Sequence, residues 1–359
     1  MLDFVYTANP GRVVFGPGAL ERVADEVARL GRSRALVLAS PDLAAVGDRV
    51  EAALGAASGV KAVGRFDGVA MHTPVEVTED AMKVVDAVRP DCVVAVGGGS
   101  TTGLSKAIAV RTGLDQVVVP TTYAGSEVTP VLGETEGGRK TTRSSPEVLP
   151  ETVIYDVELT RGLPVDVSIT SAVNAMAHAV EALYAPQANP AIDAWAQRAI
   201  GLLGAGVRRI RADPADLDMR SDLQVGAWLA ATCLGAVGMG LHHKLCHTLG
   251  GSFGMPHAPT HTVVLPHAMA YNTPAAPAAM AQVAAALDVP DAAGGVYDLV
   301  AGAGGPLALR DLGLAHSDVP RAAEIASSAS YPNPRELTLD GLTGLLEAAW
   351  SGRRPEVAG

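Results

Sequence analysis

Six of the nine histidines in this 359-residue chain fall between residues 242 and 267, in "HHKLCHTLGGSFGMPHAPTHTVVLPH". Imidazoles at this density suit two chemistries, metal ligation and proton transfer near neutrality. The stretch contains no Asp or Glu and one Cys, Cys246, and the nearest acids along the chain are Asp222 and Asp288. "LHHKLCH" spaces His243 and His247 as i and i+4, on one helical face. His257 follows fourteen residues after His243, across "GGSFGMP", whose glycines and proline require a turn. Upstream, "TSAVNAMAHAVEALYA" (170–185) reads as a helix in which Asn174 and His178 share a face. His178, His243 and His257 can therefore converge from three elements. His242, His261 and His267 are expected in supporting positions, and His72 and His316 carry no signal.

A second constellation is made of glycines and hydroxyls. Gly97, Gly98, Gly99 and Ser100 stand where the apolar run "DCVVAV" gives way to the helical "TTGLSKAIAV". Glycines admit an anion close to backbone N–H groups, and a helix N-terminus adds partial positive charge. "PTTYAGSE" (120–127) offers Thr121, Thr122 and Ser126 after another apolar run. Two such loops predict a dinucleotide crevice at the carboxyl edge of a parallel sheet. The common GxGxxG fingerprint is absent. "RALVLAS" ends in Ser40, where an acid would hold the ribose 2′-OH and repel a 2′-phosphate. Ser40 therefore predicts weak discrimination between NADH and NADPH.

The elements that must carry these residues are legible as two textures. Up to about residue 160, continuous apolar strands alternate with amphipathic helices, which predicts a parallel sheet covered on both faces. "FVYT" and "RVVFG" read as short strands around a Pro-Gly turn, followed by a helix closed by Gly31 and another ended by Pro90. From 161 to 359, helical segments are expected at 166–185, 191–212, 218–240, 276–288, 294–313, 318–329 and 337–350. The reading is an α/β dinucleotide-binding domain, 1–160, followed by an all-helical catalytic domain, 161–359.

Bulk properties exclude other classes. Apolar residues make up 48% and charged residues 18%, enough for a large core. The net charge of −11, without basic runs, argues against a nucleic-acid partner. Cys92, Cys233 and Cys246 lack CxxC spacing, which points to buried thiols in a reducing compartment. No signal-peptide pattern opens the chain, and "VGAWLAATCLGAVGMG" (225–240) is too short for a bilayer, so a cytoplasmic protein without membrane contact is expected.

"GGGSTTGLSK", "PTTYAGSEVTP", "NAMAHAVEALYA" and "HHKLCHTLGGSFGMPH", in that order, resemble the iron-containing (group III) alcohol dehydrogenases from about residue 10 to 272. The resemblance implies a Rossmann-like domain followed by helices, the architecture shared with dehydroquinate synthase. It also implies NADH or NADPH as cofactor, with Lys140 near the nicotinamide ribose. The family holds Fe²⁺ or Zn²⁺ with one Asp and three His; by position these are Asn174, His178, His243 and His257. An amide therefore stands where the carboxylate is expected, and three neutral imidazoles with an amide leave a dication uncompensated. The family's usual Asp is also Gly103 here, and its second loop is one residue longer than "PTTYAGSE". With the opening "FVYTANPGRVVFGPGALERV" and the late "SYPNPRELT" (330–338), these departures resemble one branch, the maleylacetate reductases.

That branch implies metal-independent reduction of the C=C bond of maleylacetate, a small dicarboxylate, to 3-oxoadipate in the degradation of aromatic compounds. Hydride addition to the alkene leaves an enolate that needs stabilisation and a proton. The expected agents are imidazoliums forming a switchable positive pocket. His243 is the substrate-binding group or general acid, with His178 and His257 beside it and His247 near the nicotinamide. Asn174 positions a water, a histidine or the substrate. Lys244 either attracts a carboxylate or is an exposed helix residue; Tyr331 and Tyr123 offer hydroxyls and Arg335 a carboxylate clamp, but structural roles are the favoured expectation for these three. A homodimer paired through the N-terminal strands is expected. The competing expectations are an Fe/Zn-dependent alcohol dehydrogenase, a dehydroquinate synthase-like lyase, and a nucleotide-binding module without catalysis.

Overall fold

The computed structural model describes residues 4, 6, 9, 11–56, 59–71, 73–137, 139–328 and 330–356; of Arg139 and Lys140 only the backbone is described. The chain forms two compact units, 8–163 and 164–359 with the residues before 8. The expected boundary near 160 thus moves to Leu163/Pro164, and the first residues join the helical unit, where Tyr6 packs edge-on against Trp195 with ring centroids 6.1 Å apart.

The α/β unit runs Arg12–Phe15 (β1), Val23–Arg29 (α1), Arg34–Ala39 (β2), Ala44–Ala56 (α2), Lys61–Phe66 (β3), Val75–Val88 (α3), Cys92–Gly97 (β4), Gly99–Thr112 (α4) and Asp115–Pro120 (β5). It continues with Val131–Glu136 (β6), Arg139–Ser144 (β7) and Thr152–Tyr155 (β8). Six strands form a parallel sheet in the order β1-β8-β5-β4-β2-β3, and β6–β7 is a separate antiparallel hairpin. Alternation in β4 explains why both faces are covered. Cys92, Val94 and Val96 pack with Leu20, Val27, Val50 and Leu54 on one face. Val93 and Ala95 pack with Ala81, Val85, Leu104 and Ile108 on the other. Each such side chain contributes roughly 1.5–3 kcal/mol relative to exposure. Of the two short strands expected at the start, β1 forms from "RVVF", while "FVYT" falls mostly outside the described residues. The sheet gains two strands that apolar runs did not predict, β3 and β8, and the hairpin is a third addition.

The helical unit comprises Val165–Ala182 (α5), Pro190–Arg209 (α6), Leu217–Ala236 (α7), Leu241–Phe253 (α8), His257–Asn272 (α9), Pro277–Leu287 (α10), Ala292–Gly302 (α11), Val319–Ser328 (α12) and Leu339–Ser351 (α13). α5 is buried without interruption from Ser168 to Ala182, the mark of a central helix. The expected segment 218–240 ends earlier, at Ala236, and α8 starts after a bend of 95°. Among the described residues no single helix is long and apolar enough to cross a membrane. α8 ends at Gly254, φ +67, and Pro256 caps α9, so the predicted Gly/Pro turn separates two helices. Apolar faces of α8, α9, α12 and α13 form one core around Leu245, Leu249, Val264, Ala322 and Leu346.

Candidate active site

Within the helical unit, α5 carries Asn174, His178 and Glu181 at i, i+4 and i+7, a polar stripe on a buried helix. Buried polar groups demand partners, and the start of α8 supplies those of Glu181. Glu181 accepts backbone N–H bonds from Gly240 at 3.1 Å, His242 at 2.9 Å and His243 at 3.4 Å. The carboxylate thus serves the unsatisfied amides at the start of α8, where the helix dipole favours negative charge. Its Oε2 also lies 2.6 Å from His243 Nδ1. No acid stands near His243 in sequence; folding brings one from another helix.

The tautomers follow from what each partner can do. His242 Nε2 lies 3.0 Å from the His261 carbonyl, which only accepts, so this nitrogen carries the proton. His242 Nδ1 is then an acceptor, 3.3 Å from His243 Nδ1. His243 Nδ1–H faces both that acceptor and Glu181. The remaining His243 nitrogen, Nε2, is buried and makes no hydrogen bond, as do Asn174 Oδ1, His178 Nδ1 and both nitrogens of His261.

Rings pack around this centre. His178 stacks on His243 with centroids 5.0 Å apart, and His247 meets it edge-on at 6.3 Å. His261 lies 5.1 Å from His243 and 4.3 Å from His257. The structure therefore gathers His178, His243, His247 and His257 as the sequence predicted, and adds His242 and His261 from the supporting set. Burial holds the His178, His243 and His261 imidazoles well below 6.5, with neighbouring histidines pushing the same way, and lowers His242 to about 4. Against the expected pocket of imidazoliums, burial first and neighbouring histidines second favour the neutral form of His178, His242, His243 and His261 in the chain alone.

Other expected residues are placed differently. Lys244 is exposed, its Nζ 5.9 Å from the centre of the Tyr331 ring. The Tyr331 hydroxyl makes no hydrogen bond and burial pushes its pKa up to about 12. Arg335 donates to the Tyr271 carbonyl at 2.9 Å and stacks on that ring, the structural use favoured for it over a substrate clamp. Tyr123 is buried in the other unit. His267 is buried in α9, and His316 is an exposed partner of Glu347 at 2.8 Å. His72 lies outside the described residues, and Lys140 is described only as backbone in β7.

Within the α/β unit, β4 and β5 pair in register, Gly97 opposite Pro120, so both loops leave the sheet at one level. Gly97 takes φ +152, Gly98 caps α4, and Gly99 and Ser100 open it. Thr121 N–H bonds the Gly97 carbonyl at 3.0 Å. A Cβ on Gly98 would stand 3.1 Å from Thr122 Cγ2, so a side chain there would press on the second loop. Ser40 ends β2 and caps the turn Pro41–Leu43, whose Leu43 reaches to 3.5 Å from a Cβ position on Gly97. Ser126 starts the short turn that follows. Glycine loop, hydroxyl loop and β2 end thus share the carboxyl edge of the sheet, the place at which parallel α/β sheets bind ligands.

Comparison with known proteins decides the family. Models of the iron-containing alcohol dehydrogenases match residues 10–157, and of the C-terminal region of the Fe-containing alcohol dehydrogenases residues 168–350. The chain belongs to the iron-containing alcohol dehydrogenase family. It is similar to maleylacetate reductase 1 of Rhodococcus opacus, 58% identical over 98% of both chains, and to maleylacetate reductase of Rhizobium sp. (strain MTP-10005), 51% identical over 99% of this chain and 100% of the relative. The crystal structure of maleylacetate reductase from Agrobacterium tumefaciens superposes with a TM-score of 0.94 at 50% identity, covering 99% of this chain and 100% of that one.

The name of this iron-containing alcohol dehydrogenase family poses a test of the donor set. His242, His243 and His261 have ligand atoms within 4.8 Å of one another, and among them His243 Nε2 and the His261 nitrogens make no hydrogen bond to the described residues, whereas both His242 nitrogens are engaged. The positions at which the family resemblance expects ligands hold Asn174, His178, His243 and His257, all neutral. Glu181 is committed to three backbone N–H groups and the far side of His243. Hard dications favour anionic oxygen, and the four positions provide none. By charge, the residues present do not fit iron(II).

Proposed function

We propose that this chain is a maleylacetate reductase that transfers hydride from NADH or NADPH to the alkene of maleylacetate, giving 3-oxoadipate, without a metal. The observation that carries the substrate is a likeness to maleylacetate reductases running the whole length of the chain. Enzymes of this family use NAD(P)H, and the loops at Gly97–Ser100 and Thr121–Ser126 are the nucleotide site in this reading.

The chemistry follows from the Glu181–His243 pair. Hydride from nicotinamide C4 adds to the alkene carbon beta to the ketone, and the π electrons move toward the ketone as an enolate. The dianionic substrate, entering a cluster of neutral imidazoles, favours protonation of His243. Glu181 stabilises that imidazolium from Nδ1, much as a carboxylate orients a catalytic imidazole elsewhere. Nε2–H then faces the site, steadies the enolate oxygen, and delivers its proton to the alpha carbon. The ring returns neutral and regains a proton from solvent through its neighbours, His178, His247 and His257. Asn174, with an unbonded carbonyl oxygen one helical turn before His178, holds a water.

The test is oxidation of NADH by maleylacetate, followed with and without chelator on protein whose metal content has been measured. Turnover indifferent to chelator in metal-poor protein is the expected result. Loss of turnover together with a stoichiometric bound metal would establish the metal-dependent reading, which the approach of ligand atoms of His242, His243 and His261 to within 4.8 Å of one another favours.

A further inference from the structure

We infer that Lys106 is an internal cation that fastens the second nucleotide loop to the glycine-loop helix, and is thereby a positioning residue for the reduced nucleotide. This rests on the reading of those two loops as the nucleotide site. Lys106 lies seven residues after Gly99 in α4, two turns down the same helical face. It is fully buried. Its Nζ lies 2.6 Å from the Ser126 carbonyl, 2.7 Å from the Thr129 carbonyl, 3.1 Å from Thr129 Oγ1 and 2.9 Å from the Val131 carbonyl. An ammonium has three donors, so these four oxygens use every one and replace its hydration shell.

Burial lowers the Lys106 pKa to about 7, opposed by the charge of Glu127. Glu127 is itself buried in the second loop, where Tyr155 donates to it at 2.8 Å. Four oxygen acceptors favour the protonated amine, because a neutral amine could serve only two of them. An apolar residue would fill this helical position without desolvating a charge. What the ammonium adds is a grip on three carbonyls of one segment, Ser126–Val131. That segment links the hydroxyl loop to β6, and the loop's other end is tied to Gly97 through Thr121. With both ends held to the β4–α4 turn, the hydroxyls keep one distance from the helix N-terminus. Binding energy lost to ordering a loop is thus avoided.

The test uses the full chain and measures NADH affinity, melting temperature and steady-state kinetics. Wild type is expected to bind NADH; if it does not, the nucleotide reading of both loops fails before Lys106 is at issue. Lys106→Met is expected to fold and to weaken NADH binding about tenfold, the loss of at least one charge-assisted hydrogen bond. Its kcat at saturating NADH and maleylacetate should stay within about threefold of wild type, since no reacting atom is touched. Ammonium ion should restore NADH affinity to Lys106→Ala and leave wild type unchanged. Thr129→Val, which removes one acceptor and keeps the lysine, should weaken NADH about threefold and serves if the lysine variants do not fold. NADH affinity within about twofold of wild type in the folded variants, or ammonium acting on all proteins alike, would overturn the inference.

Discussion

At the scale of single residues, the centre of the site is a buried pair rather than a row of histidines. Glu181 fixes the Nδ1–H tautomer of His243 and leaves Nε2 without a hydrogen bond to the described residues, the nitrogen proposed to face substrate. Glu181→Gln keeps the shape but removes the charge that stabilises an imidazolium. A fall in kcat of about 10²-fold or more is expected, with His243→Ala at least as severe. Because the two act as a unit, the double variant should be little worse than His243→Ala alone. Steady-state rates with maleylacetate check this; additive losses would separate the residues. Asn174 makes the complementary case. Asn174→Asp restores an anion beside three imidazoles, and is expected to retain a divalent metal through purification where wild type does not. Equal metal content in the two proteins, measured by elemental analysis, would show that charge at position 174 does not decide occupancy.

At the scale of elements, Gly103 shows how one departure from the family is absorbed. A Cβ there would stand 2.3 Å from Thr73 Oγ1, and Thr73 holds φ +47, a costly conformation for a β-branched residue. The Thr73 carbonyl takes the N–H of Thr135 at 3.1 Å, so this contact seats the β6–β7 hairpin beside α4. Gly103→Ala is expected to destabilise by about 1–3 kcal/mol through overpacking, and Thr73→Gly to reverse most of that loss. Denaturant titration of the single and double variants tests the coupling; additive effects would refute it. What the sequence revealed of such elements depended on burial and length, since β8, "TVIY", is buried throughout but only four residues long. β2, β4 and β5 are sealed on both faces and read as apolar runs. β3, "KAVGRF", is a half-buried edge strand, and β7, "RKTTRS", has no apolar residue at all, so neither announced itself. α9 was hidden by Pro266 in its interior. The histidines were legible because their spacing is helical. Glu181 shared that spacing with Asn174 and His178 but lay outside the stretch in which a partner was sought. Lys106 looked like an ordinary helix residue, since no local pattern reveals that three carbonyls from a distant turn surround it.

For the whole molecule, the buried histidines of the helical unit make its stability depend on acid. His267 is the cleanest case, outside the histidine cluster around Glu181. Burial lowers it from 6.5 to about 4, and the charge of Arg353 pushes the same way. As pH falls, the unfolded chain takes up this proton first. Stability is therefore complete above pH 6.5 and is lost as pH drops toward 4, by roughly 3 kcal/mol at most for one group shifted this far. At pH 5 the loss is about 2 kcal/mol. All three tryptophans, Trp195, Trp228 and Trp350, lie in the helical unit, so their fluorescence follows its unfolding without contribution from the sheet. Urea titrations read by that signal at pH 7.5 and pH 5 should show a smaller acid loss for His267→Gln than for wild type, by about 2 kcal/mol. An identical pH response in the two proteins would mean that His267 takes up its proton equally well folded and unfolded, and that its burial in α9 carries no electrostatic cost.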